Sequence, residues 1–384
     1  MEKQLLRVII LTLLVTSSVP AAPEGIQARR KLLSLGVDEI VFACRSQVAD
    51  QHWYANFGYY FDGPRHPCFG DSGTLKVLSV KTGTVNTLLE DRQGSIRDPQ
   101  VHYDGQRILF SYRRGGEAQY HLYEINRDGS GLRQLTRGIY DDLEPSYLPD
   151  GGIVFVSARC KRWVNCWQTQ VAALYRCDAK GENIRILSAN IEQDNTPWVL
   201  PDGRVLFTRW EYVDRSQVNF HHLWACHPDG SNPVAYFGNM HPGKVFIDAK
   251  PIPGTGKVVF ISSPGHGRRE HAGVVAVVSG RHGPDSQRSY RQISRLSGPS
   301  YRDPYPINHD CFLVARDRDL LVMDAAGNES RLLSADVMLH EPRPLRARPR
   351  EPVMPAKIAA QKATGSTILA DIHPDVGKLP PEGI

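Results

Sequence analysis

Three stretches of this chain repeat one pattern: DPQVHYDGQRILFSY from Asp98, EPSYLPDGGIVFVSA from Glu144 and TPWVLPDGRVLFTRW from Thr196. Two weaker copies follow, DAKPIPGTGKVVFIS from Asp248 and DPYPINHDCFLVA from Asp303. The unit returns every ~45 to 55 residues, a period that belongs to propeller blades. A degenerate copy from Val37 to Leu89 supplies a first unit. The repeats therefore predict an all-β fold over residues 37–339, a six-bladed β-propeller of four-stranded antiparallel blades.

Turn chemistry supports a meander inside each unit. A short strand ends at Asp104-Gly105, Asp150-Gly151 or Asp202-Gly203, dipeptides whose left-handed preference suits tight hairpins. A β-branched and aromatic strand comes next, as in Arg107 to Tyr112, Ile153 to Ser157 and Val205 to Arg209. After a variable loop and a third strand, a second glycine turn follows at Asp128-Gly129, Asp178 to Gly181 and His227 to Gly230. A strand such as Leu132 to Thr136 completes the unit. Helical periodicity is nowhere sustained, which argues against doubly wound α/β folds.

Outside the repeats, Lys3 and Arg7 precede the apolar run Val8 to Val15 and the small-residue stretch Val19-Pro20-Ala21-Ala22. That order predicts a signal peptide over residues 1–22 and a periplasmic or secreted protein. A bilayer span needs roughly 20 apolar residues, and the run is shorter. The net charge of +5 is dispersed among nearly equal numbers of both signs, so nothing asks for nucleic acid. The one basic concentration, Arg343 to Arg350, is interleaved with prolines and reads as a solvated Pro/Arg-rich linker over 340–357. Residues 358–384 are too few to bury a core and read as the start of a following domain.

The repeat also sorts the seven cysteines. Ile125, Cys177, Cys226 and Met323 share one place on the third strand, so Cys177 and Cys226 are expected as small buried hydrophobes. Cys160 and Cys166, in the loop RCKRWVNCW, are a candidate disulfide in an exported protein. Cys44 and Cys68 are a second, weaker candidate pair, and Cys311 is expected buried and free.

The Pro-Asp-Gly segments, apolar strands and turns such as LYEINRDGSGLRQLT resemble the repeats of TolB-type (PD40, WD40-like) propellers. Longer strings are more specific. HWYANFGYY, LPDGGIVFVSARCKRWVNCW, DNTPWVLPDGRVLFTRWEYVDRSQV, SPGHGRREHAG and HEPRPLRARPREP resemble exported proteins related to the hydrazine synthase alpha subunit, over roughly residues 37–357. That resemblance implies a propeller followed by haem-bearing domains. The chain has no Cys-x-x-Cys-His, so a c-type haem is not expected on it.

Candidate sites follow from where the repeats place side chains. The residues opening the units, Asp98, Glu144, Asp194, Asp248 and Asp303, form a candidate ring at the channel mouth suited to a hard cation. The plainer reading is that these carboxylates accept turn N–H bonds and stabilise each unit. His266 and His271, in a Gly-rich loop, are a candidate divalent-metal pair; His221, His222 and His227 are weaker candidates, because His121 shares a strand position with His222. Trp53, Tyr54, Trp163, Trp167, Trp210, Tyr212 and Arg215 are interface candidates for a protein partner or an adjoining domain. No Gly-x-Ser-x-Gly elbow, phosphate loop or dinucleotide fingerprint occurs, and no catalytic residue is assigned. The sequence thus points to an exported binding and scaffold module. The alternative is a subunit of a metal- or haem-dependent redox enzyme whose cofactor lies largely outside this chain.

Overall fold

The computed structural model describes residues 23–359 except 56 and 64, together with 362 and 364. The expected signal peptide and most of the expected following segment lie outside these residues. Among the described residues, twenty-four strands form four antiparallel sheets of four strands and one sheet of eight, in which two four-stranded meanders are joined by a short parallel pairing of Phe220–Cys226 with Lys244–Pro251. The second strands of the units are Glu39–Cys44, Arg107–Arg113, Ile153–Ser157, Val205–Trp210, Lys257–Pro264 and Cys311–Arg316. At the hairpins that precede three of them, Gly105, Gly151 and Gly203 have φ of 71°, 89° and 89°, the backbone that Asp-Gly turns supply.

Six inner strands carry the architecture: Leu339–Pro344, Ser95–Val101, Asp142–Tyr147, Asp194–Val199, Lys244–Pro251 and Arg302–Asn308. Each adjoins the next, and the last returns to the first, so the inner strands form a closed circuit. Apolar cores sit between neighbouring units. Leu109 and Leu122 of the second unit meet Phe155 and Cys177 of the third, while Val154 and Leu174 of the third meet Phe207 and Cys226 of the fourth. Cys177 and Cys226 occupy the buried positions expected of them.

Both ends of the described chain build the first unit. Leu339–Pro344 pairs antiparallel with Glu39–Cys44, nearly 300 residues earlier. The stretch expected as a solvated linker from residue 340 therefore begins as a strand. His340-Glu341-Pro342 repeats the acid-proline opening of the other units, but its hairpin partner is remote, so no Asp-Gly turn follows to announce it. The continuation is also docked. Leu345 N donates to Glu39 O (2.8 Å), Arg348 N to Tyr103 O (3.0 Å), Arg350 Nη1 to Pro149 O (2.9 Å) and Lys357 N to Asp229 Oδ2 (2.6 Å). A strap thus crosses the first four units. One element is new relative to the sequence analysis: the helix Pro23–Ser34 buries Ala28 and Leu32, one turn apart, beside the outer strand Glu329–Ser334.

Candidate functional site

A bulge recurs at the same place on every inner strand. Asp98, Glu144, Thr196, Asp248, Asp303 and Glu341 all have φ between 49° and 58°. At each, the ladder with the second strand skips, two residues opposing one. The opposed residue is Phe110, Phe155, Phe207, Phe260, Val314 or Phe42, all buried. A non-glycine residue in left-handed backbone costs about 1–3 kcal/mol and persists only when its surroundings hold it there.

A chain of hydrogen bonds between units provides that hold. Glu144 N donates to Asp98 Oδ2 (3.1 Å), Thr196 N to Glu144 Oε2 (2.6 Å), Asp248 N to Thr196 Oγ1 (3.1 Å) and Glu341 N to Asp303 Oδ2 (3.0 Å). At these four of the six seams the bulged side chain accepts the N–H of the next bulge, so the ring residues stitch those neighbouring units together. Of the five predicted carboxylates, Asp98, Glu144 and Asp303 accept backbone N–H bonds, and those N–H groups belong to the adjacent unit rather than the same turn. Glu144→Ala strands both Thr196 N–H and Asn195 Nδ2, which also donates to Glu144 Oε2 (3.0 Å). It should cost on the order of 3 kcal/mol in urea denaturation, and Glu144→Gln, which keeps an acceptor, visibly less.

The candidate ring needs two corrections. Asp194 is absent from it: two residues ahead of the bulge, it is fully buried and bidentate to Arg209 at 2.8 Å on both arms. Asp142 does the same with Arg159 in the third unit. Thr196 takes the ring place in the fourth unit, because the alignment counts from the residue before proline. Glu341 is the member the sequence analysis missed.

The channel enclosed by the ring is nearly filled. Six carboxylates, Asp98, Glu144, Asp248, Glu270, Asp303 and Glu341, face Arg45, Arg97 and Arg343 around a cavity of about 40 Å³. Glu270 and His271 enter from the loop after Lys257–Pro264, both at positive φ (53° and 57°). Glu270 Oε2 lies 2.6 Å from Arg45 Nη2, and its Oε1 accepts from Val48 N (3.0 Å). Burial opposes this charge, but Arg45, His340 and Arg97 bring the Glu270 carboxyl down to about 2. Glu341 moves the other way, raised by burial and by Asp303 and Asp98 against the pull of Arg45. Lys250, fully enclosed, is lowered by burial to about 8 despite its contact with Asp248.

The two candidate metal histidines occupy different surroundings. His271 lines the channel cavity. His266 packs into an aromatic box with Tyr54, Trp210 and His221, at centroid separations of 5.5, 4.8 and 4.7 Å. Three interface candidates belong to the same box: Trp53, Tyr54 and Trp210 are at most 1 % exposed. Gly267 lies so close to Trp53 that a Cβ there would sit 2.3 Å from Cδ1. Arg215 braces its loop instead, pairing with Glu211 and donating from Nη1 to Asn239 O (2.8 Å), and Tyr212 is half-buried against Trp210. Trp163 and Trp167 are the exposed pair. All seven cysteines are free, so neither the Cys160–Cys166 nor the Cys44–Cys68 bond is formed. Cys160 Sγ, at the end of the 3-10 turn Ala158–Cys160, instead donates to Val171 O (3.4 Å).

No protein-family profile matches the chain. In sequence it is 25% identical to hydrazine synthase subunit alpha of Kuenenia stuttgartiensis, across 73% of this chain and 40% of that protein. The chain therefore spans well under half the length of the curated relative it matches. In structure it is similar to Kuenenia stuttgartiensis hydrazine synthase, with a TM-score of 0.71 at 19% identity over 83% of this chain and 48% of the other. TolB from Acinetobacter baumannii matches with a TM-score of 0.56 at 15% identity, over 85% of this chain and 73% of the other. The chain is a TolB-like β-propeller that resembles hydrazine synthase.

Proposed function

We propose that this chain is an exported binding and scaffold module, a propeller that offers one loop face to a protein partner and holds no complete catalytic site of its own. One observation carries the proposal. Phe61, Trp163 and Trp167, exposed by 64%, 42% and 37%, surround an open hollow of about 670 Å³. Grouped exposed aromatics mark interaction surfaces, and tryptophan dominates binding energy at them. The patch is braced before any partner arrives. Phe61 N donates to Gln168 O (3.0 Å), Trp167 Nε1 to Asp50 Oδ2 (3.0 Å), and the Phe61 and Trp163 rings meet edge to face at 6.3 Å.

The partner is a further domain or subunit of the assembly in which a hydrazine synthase alpha-related chain works. Cross-linking in the native cell, followed by mass spectrometry, should recover one stoichiometric protein. Trp163→Ala should weaken its binding at least about 10-fold, or 1.4 kcal/mol, with an unchanged melting temperature. An equally retained partner would overturn the docking face. For export, N-terminal sequencing of the mature protein should begin close to Ala22; an N-terminus at Met1 would count against it.

The name of the matched relative favours a second reading, a subunit of a metal- or haem-dependent redox enzyme with its cofactor in another domain. The residues of this chain do not fit a c-type haem. No Cys-x-x-Cys-His occurs, and Cys44, Cys68, Cys177, Cys226 and Cys311 are buried within the fold. A Soret band of one haem per assembly, carried by the co-purifying partner, would support this reading.

A further inference from the structure

We infer that Asp303, His340 and Glu341 form a divalent-metal site at the seam where the two ends of the propeller meet. All three are buried, at 6%, 0% and 6% exposure, and one donor atom from each lies within 4.8 Å of the other two. The seam explains the juxtaposition. Asp303 is the bulge residue of the sixth unit and Glu341 that of the first, and Glu341 N is fastened to Asp303 Oδ2 at 3.0 Å. His340 precedes the bulge, so the turn of backbone that carries Glu341 to the channel sets the imidazole alongside Asp303.

An independent observation points to a ligand. Both ring nitrogens of His340 are buried without a hydrogen-bond partner, and its nearest carboxylate oxygen, Asp303 Oδ2, is 3.7 Å from Nδ1. That separation is too long for a hydrogen bond. Glu341 Oε2 is also buried and unpartnered. Buried polar groups nearly always find partners, and an orphan marks strain, function or an ion. The surrounding charge fits a cation, since carboxylates outnumber guanidiniums two to one around the cavity. Arg45, at 3.4 Å from Glu341 Oε1, is the chief opposing charge, and it is closer to Glu270, at 2.6 Å.

The donor set decides the class of metal. One imidazole and two carboxylates suit a first-row ion such as Mn²⁺, Fe²⁺ or Zn²⁺, whereas Ca²⁺ and Mg²⁺ prefer oxygen alone. Bonds of about 2.0–2.2 Å place donors no more than about 4.4 Å apart, so a modest inward shift of the widest pair completes the site. Asp303 and Glu341 line the 40 Å³ cavity. A water needs roughly 10–15 Å³, so the coordination positions on the channel side have room for one or two.

Chelator-treated protein titrated with Co²⁺ and Zn²⁺ by absorption and calorimetry tests the site. About one ion per chain should bind, with the visible bands of an imidazole-ligated Co²⁺ centre, and Ca²⁺ should bind far more weakly. His340→Gln and Asp303→Asn should each weaken Zn²⁺ binding at least about 10-fold, and His266→Gln should not. Failure of the chelated wild type to take up any of these ions overturns the inference irrespective of how the variants fold. So does undiminished uptake by both ligand variants.

Discussion

Trp210→Ala should destabilise this protein by about 3–5 kcal/mol, the range for truncating a fully buried large aromatic. Its ring is 0% exposed and lies 4.9 Å from Tyr54, 5.1 Å from His221 and 4.8 Å from His266. Its Nε1 donates to Gln217 O at 2.9 Å, so removal also strands a carbonyl. The box joins segments far apart in the chain: Trp53 and Tyr54 from the first unit, Trp210 and His221 from the fourth, and His266 from the fifth. Gly267 packs closely on Trp53, another wall of the same box. Against a total of about 5–15 kcal/mol, the loss is large enough to shift a denaturation midpoint far outside error. Trp163→Ala, 42% exposed in the wild type, should change stability by no more than about 0.5 kcal/mol. A Trp210→Ala protein with an unshifted midpoint would show that the box contributes nothing to the fold.

The contrast between these tryptophans shows what a sequence of this kind discloses. The strand meander was legible because each unit writes its own turn, and an Asp-Gly next to a β-branched run needs no distant partner to be understood. The bulge was half legible. An acid or threonine before proline, followed about a dozen residues later by a buried phenylalanine, marks the opposed pair in Asp98/Phe110, Glu144/Phe155 and Thr196/Phe207. The same offset run backwards from Phe42 finds nothing, because its partners Glu341 and Pro342 lie at the other end of the chain. Closure of the circuit is a long-range event, and Glu341, His340 and the docked strap were missed for that reason. Trp53, Trp210 and His266 were misplaced for a related one. Loops with aromatic and histidine residues read as surface, and only the meeting of three units buries them.

Histidine and carboxylate variants should alter the pH dependence of stability in opposite directions, and the sign follows from burial. His222 is lowered to about 3 by burial, with Arg215, Arg209 and His241 adding to the shift. Its one carboxylate neighbour, Glu211, is 3.7 Å away. Between that value and the ordinary 6.5, the unfolded chain binds a proton that the folded chain refuses. Stability from this group is complete above pH 6.5 and falls as the pH drops. His222→Gln removes the titration, so on moving from pH 6 to pH 4 the variant should gain about 2–3 kcal/mol relative to wild type, at about 1.4 kcal/mol per pH unit. Asp141 is the mirror case, raised by burial to about 6 although it accepts N–H bonds from Tyr120 (2.8 Å) and Gly58 (3.0 Å). Here the folded chain keeps a proton that the unfolded chain releases, so its stabilisation is complete below pH 3.8 and is lost as the pH rises through 6. Asp141→Asn should therefore gain on wild type as the pH rises from 4 to 6, by about 2 kcal/mol. Urea denaturation of the three proteins at pH 4, 5 and 6 separates the effects, because the two differences from wild type must slope in opposite directions. Parallel slopes would mean that burial does not set the protonation of these groups.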